Sequence, residues 1–547
     1  MDGSDRIKAK TIVPGARGIR QPGQIGIVIA VTGLKLSCLL FGHSAPGSND
    51  APYTGAQIGA LIKVPTANSD AFGFVASLSF EEAGGETPAA ICEVDLLGEA
   101  VVRDNQTTFI RGIATYPVLG AAVFSATTDD IGLIYAKPNT WTLSIGTLSQ
   151  DEARPAYLLS QDFLSKHSAI LGTTGSGKSC ALTLMLRTLL TAHPNGHVVM
   201  LDPHGEYGAA FPDFAETLTP ERLQLPYWLY SFEEIIEVLC SKDSVSRARE
   251  IPILKEVIMQ AKSDFLGNDA VKVSALTVDT PTPYRMTSVL QRINEQMGKL
   301  DRPDSSLPYI RLASTIEALR KDRRYAFMFE GLTVRDNMSE ILGRILRIPV
   351  EGKPITILDI SAVPSEIVNV VVSLLCRLIF DFALWSERED AVPILVVCDE
   401  AHRYIPRDEK TGFEPTIRSI ARIAKEGRKY GVSLCLVTQR PAELSETILS
   451  QCSTVFALRM NNEKDRGYVR SMLPDDAAGL MSALPTLRQR EAIAVGEGVS
   501  QPMRIRFHDL DQKFRPRGSA AIFPVAWQED VKGREFVAGI VERWRQQ

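Results

Sequence analysis

The chain has 547 residues, 23% of them charged and 45% hydrophobic, with a net charge of −5. This length predicts three or four domains with apolar content for several cores. The mild acidity excludes a globally basic nucleic-acid-binding surface and leaves only local patches for such contact. The sequence predicts no apolar run of transmembrane length, and its start, Met-Asp-Gly-Ser-Asp-Arg, lacks the basic-then-apolar order of a signal peptide. The eight cysteines are scattered with no Cys-x-x-Cys pair, which argues against a zinc site or disulfide framework and for a reducing, cytoplasmic setting.

Residues 1–150 carry short β-like runs separated by turn signals: 23–30, 34–41, 57–64, 90–94 and 122–126. This spacing predicts a small N-terminal β-barrel. The α/β core opens at 151–210. There Ser168-Ala-Ile-Leu171 reads as a buried strand, followed by Gly172-Thr-Thr-Gly-Ser-Gly-Lys-Ser179 and then a helix with apolar spacing through Leu190. This is the phosphate-binding P-loop pattern in the strand–loop–helix context it requires. Gly172, Gly175 and Gly177 let the backbone amides wrap phosphate together with those of Thr173, Thr174 and Ser176. Lys178 reaches the β- and γ-phosphates, and the Ser179 hydroxyl ligates Mg²⁺. The chain is read as binding ATP or GTP.

Helical periodicity dominates 211–350, as in Phe232–Cys240 and Ile251–Met259, and predicts a helical insert that separates the two halves of the nucleotide site. The strand pattern resumes at Ile355–Ile360, a helix follows over 367–385, and the core extends over 351–513. Ile394-Leu-Val-Val-Cys-Asp-Glu400 is a doubly buried strand ending in two acids. Asp399 suits the magnesium site, and Glu400 suits activation of the attacking water. A glutamate beside the magnesium aspartate points to hydrolysis by an additional-strand ATPase rather than a GTPase switch. A third strand, Gly431–Gln439, ends in Thr438 and Gln439, where a polar pair can report the γ-phosphate. The helix before it, Ile417–Tyr430, buries Ile417, Ile420, Ile423 and Ala424. It turns Arg418, Arg422, Lys425, Arg428 and Lys429 outward, either as a solvated face or, for Arg428, as an arginine finger to an adjoining subunit. Arg459 and the stretch Arg403–Arg407 are pore-loop candidates or plain surface. The tail 514–547 reads as an extended arm and a last helix, Glu529–Arg545.

Together these segments resemble the HerA family of hexameric DNA-translocating ATPases, relatives of FtsK. The residues that carry the resemblance are His167–Ser179, Asp202-Pro-His-Gly-Glu-Tyr207, Leu358-Asp-Ile-Ser361, Asp399-Glu-Ala-His402, Glu426-Gly-Arg-Lys-Tyr-Gly431 and Thr438-Gln-Arg-Pro441. The Asp-x-His-Gly-Glu-Tyr stretch is the most discriminating. The resemblance implies a RecA-like P-loop ATPase core of α/β class, with an N-terminal small β-barrel and a helical insert. It also implies a homohexamer with ATP and Mg²⁺ at the subunit interfaces and double-stranded DNA through the central pore. Carried over by position, Lys178 and Ser179 bind nucleotide and magnesium, Asp399 and Glu400 are the magnesium and water-activating acids, and Gln439 is the γ-phosphate sensor. Arg428 becomes the finger acting in trans, and Lys166 is a basic residue at the interface. Asp202 is read as tuning the water site, and Glu206 as either doing the same or capping a turn. The resemblance further implies a separate effector docking on the barrel side, without a membrane. That effector is either a NurA-type nuclease, for DNA end processing or repair, or the effector of an anti-phage complex, such as a nuclease or a sirtuin-like NADase, for which the ring serves as scaffold and regulator.

Overall fold

The computed structural model describes residues 21–41, 56–81, 89–219, 222, 225–267, 269–299, 303–329, 334–472, 478–517 and 533–546. The chain divides into two compact units. One comprises residues 1–136 with 473–483, and the other 137–472 with 484–547. The first boundary lies at Ala136 rather than at 150, for a reason visible in strand pairing below.

In the first unit six antiparallel strands close on themselves: β1 (Gln24–Thr32), β2 (Lys35–Leu40), β3 (Leu61–Pro65), β4 (Ser69–Glu81), β5 (Ala89–Arg103) and β7 (Ala122–Ser125). They run in the order β2-β1-β7-β3-β4-β5, with β5 returning to β2. Strand β6 (Gln106–Arg111) hangs on the outer part of β5. Alternation builds the interior. Leu36, Cys38 and Leu40 of β2 point inward, with Val28, Ile62, Val75, Cys92, Val94 and Val123 opposite them. The long strands β4 and β5 bend through register shifts at Phe72/Gly73 and Val75/Ser77. Gly73 is needed at the first bend, because a Cβ there would lie 2.5 Å from the Asp95 carbonyl oxygen.

The second unit is built on an eleven-stranded sheet in the order β12-β13-β11-β14-β15-β10-β16-β17-β18-β8-β9. Its parallel part comprises β12 (Ala215–Leu218), β13 (Ile355–Asp359), β11 (His197–Asp202), β14 (Ile394–Cys398), β15 (Val432–Thr438), β10 (His167–Leu171) and β16 (Cys452–Leu458). β10, β14 and β15 are buried along their whole length, as their unbroken apolar runs demand of strands covered on both faces. An antiparallel extension follows: β17 (Glu491–Gly496), β18 (Met503–Phe507), β8 (Thr142–Leu148) and β9 (Pro155–Leu159). β8 falls within the stretch expected for the barrel, but its pairing with β18 assigns it to this unit and moves the boundary back to Ala136.

The region 211–350 is not wholly an insert, since β12 pairs with β13 inside the core sheet. Beyond it, helices Ser244–Leu266, Met286–Met297 and Pro303–Lys321 pack on one another. Helix Ser365–Trp385 corrects the expectation of no transmembrane-length run. Its stretch Ile367–Trp385, 19 residues, is long and apolar enough to cross a membrane, yet 67% of that window is buried. Val371, Val372, Leu374 and Leu375 are fully enclosed, which marks a core helix. The arm expected from 514 lies outside the described residues beyond Arg517, and the final helix is described over Arg534–Gln546.

Candidate functional site

Register brings distant residues of the sequence to one level. In the sheet Leu171 stands opposite Thr438, Cys398 opposite Leu436, and Leu201 opposite Cys398. The acids after β14 and the polar pair ending β15 therefore emerge level with the start of the phosphate loop. Strand β15 lies between the P-loop strand β10 and the acidic strand β14, which is the additional-strand arrangement expected from the sequence.

The loop is shaped by its glycines. Gly175 and Gly177 sit at φ 75° and 101°, a region open to glycine without strain. Gly177 caps the helix Lys178–Ala192, so the free amides of its first turn face the loop's interior. Gly172 has no room for a side chain, since a Cβ would meet Ser176 Oγ at 2.8 Å and Leu458 Cβ at 2.9 Å. Thr173 is tied to the next strand, its amide and its hydroxyl both donating to the Arg459 carbonyl at 3.0 Å. Thr174 donates to Gln439 Oε1, so the proposed sensor touches the loop directly. Lys178 is buried, and its Nζ donates to the Thr173 carbonyl at 3.2 Å.

Glu400 turns away from the strand at φ 47°, a left-handed conformation that is costly for a residue with a side chain. Its carboxylate is nearly buried, and Oε2 has no hydrogen-bond partner. The His402 Nδ1 lies 3.3 Å from that oxygen but pairs with Thr438 Oγ1 at 3.0 Å. Burial holds His402 below the usual histidine range despite the nearby Glu400 charge, so the ring is neutral at pH 7.

The acids crowd one another. Burial pushes Asp399 up to about 8, reinforced by the charges of Glu400 and Asp202. Burial also raises Glu206, with Asp202 and Glu400 adding repulsion and Lys178 opposing it. Lys178 in turn is lowered by burial and supported by Glu400, Asp399 and Glu206. Three carboxyl groups facing one lysine leave a cluster with a deficit of positive charge, which a cation would relieve.

Asp202 corrects the sequence reading. It is fully buried, and its two oxygens accept from the amides of His204 (3.2 Å) and Tyr207 (2.9 Å). It fastens the loop that follows β11, and burial raises its proton affinity against those amides. Glu206, held half-buried by that loop, is the acid that faces Lys178 and Glu400. The Asp-x-His-Gly-Glu-Tyr spacing carried this signal: the first acid shapes the turn and the second is presented by it. Arg459 is likewise displaced from its pore-loop reading, because it lies beside the phosphate loop, with Nε buried and without a hydrogen-bond partner. Nothing in its local sequence marks this.

Arg428 is exposed in the short turn before β15. It bears on His167 at the start of β10, the opposite end of the sheet from the phosphate loop. With β15 between them, about 23 Å separates it from its own phosphate loop, which it does not reach. The rest of the basic helix Glu414–Glu426 is partly neutralised. Arg418 pairs with Glu233 and Glu414, and Arg422 pairs with Asp381 and lies 4.2 Å over the Phe380 ring. Lys166 is paired with Asp162 at 2.7 Å and with Glu497.

Among the described residues no group of three His, Cys, Asp or Glu could hold a metal unaided. Magnesium at a P-loop needs no such group: it takes a hydroxyl, phosphate oxygens and water, with a carboxylate behind. Ser179 and the crowded Asp399 fit that requirement.

The chain is similar to several known proteins. Residues 143–379 match the family model described as the central domain of helicase HerA. The DNA double-strand break repair helicase HerA of Pyrococcus furiosus is 25% identical over 507 residues, covering 86% of this chain and 85% of that protein. Its namesake in Sulfolobus acidocaldarius is 26% identical over 436 residues, covering 78% and 80%. Among solved structures, VirB4 of Thermoanaerobacter pseudethanolicus aligns at 15% identity with a TM-score of 0.47, over 69% of this chain and 98% of that one.

Proposed function

We propose that this P-loop ATPase, similar to the HerA helicases over most of its length, is a member of that family and an ATP-driven translocase of double-stranded DNA. It works as a homohexamer with a separate nuclease in DNA end processing or repair, in the cytoplasm. The observation that carries this reading is the convergence of Lys178, Asp399, Glu400 and Gln439 at one end of a sheet whose additional strand separates loop from acids. The DNA substrate rests on the names of the relatives, which are double-strand break repair helicases. The cytoplasmic setting rests on eight free cysteines, six of them buried.

In this reading the loop amides from Gly172 to Ser179 and the Lys178 ammonium hold the phosphates. Ser179 and Asp399 hold Mg²⁺, which supplies neutralising charge on the phosphate oxygens. Glu400, with an unpartnered carboxylate oxygen, orients and deprotonates the attacking water. Gln439, tied to Thr174, registers the γ-phosphate. Arg428 reaches the neighbouring subunit's site, so each site is completed only in the ring. Loss of the γ-phosphate then releases one interface geometry, and basic groups along the pore advance phosphate contacts without reading sequence.

The test is steady-state ATP hydrolysis by the purified protein with and without long duplex DNA at two salt concentrations. Several-fold stimulation that fades with salt is expected of a motor gripping phosphates. Turnover indifferent to DNA at both salts would overturn the motor reading in favour of an ATPase platform whose activator is its partner effector.

A further inference from the structure

After β18 ends at Phe507, the chain runs along the phosphate-loop helix as a strap, residues 508–517. Two ties hold it. The Arg187 guanidinium, on that helix, lies 3.4 Å from the centre of the Phe514 ring and is itself fixed by two hydrogen bonds to Asp213, 2.8 Å each. Further on, the Arg517 amide donates to the Glu206 carbonyl at 3.1 Å, in the acidic loop of the site. Earlier in the strap, Asp509 is gripped by two arginines. Arg490 Nη1 stands 2.9 Å from Oδ1, and Arg515 Nη2 stands 3.3 Å from the same oxygen.

This trio lies at the start of the phosphate-loop helix. The Arg490 amide nitrogen is 3.9 Å from the place where a Cβ on Gly177 would stand. Arg490 itself is held at φ 66°, a strained conformation of the kind that collects at ligand sites. In a P-loop the lysine marks the β- and γ-phosphates, and the amides at the helix start mark the α-phosphate end. Two arginines at that end suit a phosphate. A carboxylate there does not: Asp509, 69% exposed, repels phosphate and needs another reason to be present. A sugar supplies one, since its hydroxyls are donors and a carboxylate is an acceptor only.

Resting on the nucleotide reading of the phosphate loop, we propose that the strap forms the nucleoside-side wall of the site. Arg490 and Arg515 face the α-phosphate, and Asp509, held between them, accepts hydrogen bonds from the ribose hydroxyls. The site therefore takes a ribonucleotide by its sugar as well as by its phosphates.

Charge separates this from a merely structural salt bridge. Calorimetric titration of the full chain with Mg·ADP and with magnesium tripolyphosphate reads the sugar and the phosphates apart. Asp509→Ala is expected to weaken ADP about tenfold while leaving tripolyphosphate unchanged or tighter, because a negative charge has gone. Asp509→Asn keeps an acceptor and should recover most of the ADP affinity. If Asp509→Ala leaves or strengthens ADP as it does tripolyphosphate, or weakens both alike, the sugar contact is refuted. Failure of the underlying reading is distinct: the unaltered chain would bind neither ligand, or Lys178→Ala would change neither.

Discussion

The buried Asp399 gives a pH dependence whose size follows from its surroundings. Its proton affinity rises from the ordinary 3.8 to about 8 on folding, chiefly through burial and then through Glu400 and Asp202. For an acid raised in this way the folded chain binds the proton more tightly than the unfolded one. The associated stability is complete below pH 3.8 and is lost as pH rises toward 8. Integrating the linkage relation, the loss reaches about 3 kcal/mol at pH 6 and about 5 kcal/mol at pH 8, a difference of roughly 2 kcal/mol across that window. Asp399→Asn has no proton to lose, so this share of the slope disappears. For a unit of this size the gap between variant and parent should widen by about 3 °C in melting midpoint from pH 6 to pH 8, with the variant the more stable. The assay is thermal unfolding of nucleotide-free protein in EDTA over a pH series. Asp202 and Glu206 are raised too and remain in the variant, so the slope falls without vanishing. Parallel pH curves for parent and variant would show that Asp399 is ionised and comfortable in the folded chain, and would refute the crowding described above.

Three further outcomes are expected. Glu400→Gln should lower ATP turnover by a factor of about 10² or more while retaining nucleotide binding; undiminished turnover would remove Glu400 from the water-activating role. Asp202→Asn keeps one acceptor oxygen, enough for one of the His204 and Tyr207 amides, and should hold turnover within about threefold, whereas Asp202→Ala strands both amides and should cost about 2 kcal/mol of stability. A variant Asp202→Asn as inactive as Glu400→Gln would restore Asp202 to the chemistry. Arg428→Ala should abolish turnover while sparing nucleotide binding, and mixing it with Lys178→Ala subunits should regain activity at some interfaces. No recovery at any mixing ratio would argue against action in trans.

The parts of the molecule written in short-range patterns were legible in the sequence. The P-loop and its flanking strand and helix, the acid-ended β14, and β15 with its polar tip all stand where their hydrophobic runs and turn residues put them. What escaped depended on pairing across long separations. β8 lies in the stretch expected for the barrel, and only its partner β18, some 350 residues later, assigns it elsewhere. β12 was hidden in a helical stretch because four residues carry too little periodicity to declare a strand. For the acids of the β11 loop the sequence reads Asp202 as tuning the water site and leaves Glu206 open between that role and a cap, since which carboxylate bends inward to cap its own amides is settled by backbone turns that spacing alone does not specify. Asp509, Arg490 and Arg515 belong to no local motif and meet only through the sheet.

The strand β15 has one end against the phosphate loop, through Gln439 and Thr174, and the other beside Arg428. Its seven residues are buried and hydrogen-bonded to a strand on either side. Such a rod has no slack along its length. A shift of Gln439 along the strand axis reappears at Gly431 with its size kept, and the arginine next to it moves by the same amount. In the proposed ring the strand would be a mechanical link in series. What one subunit's catalytic pocket does would be delivered as a displacement at the next, and the order of firing would be set by stiffness as much as by chemistry.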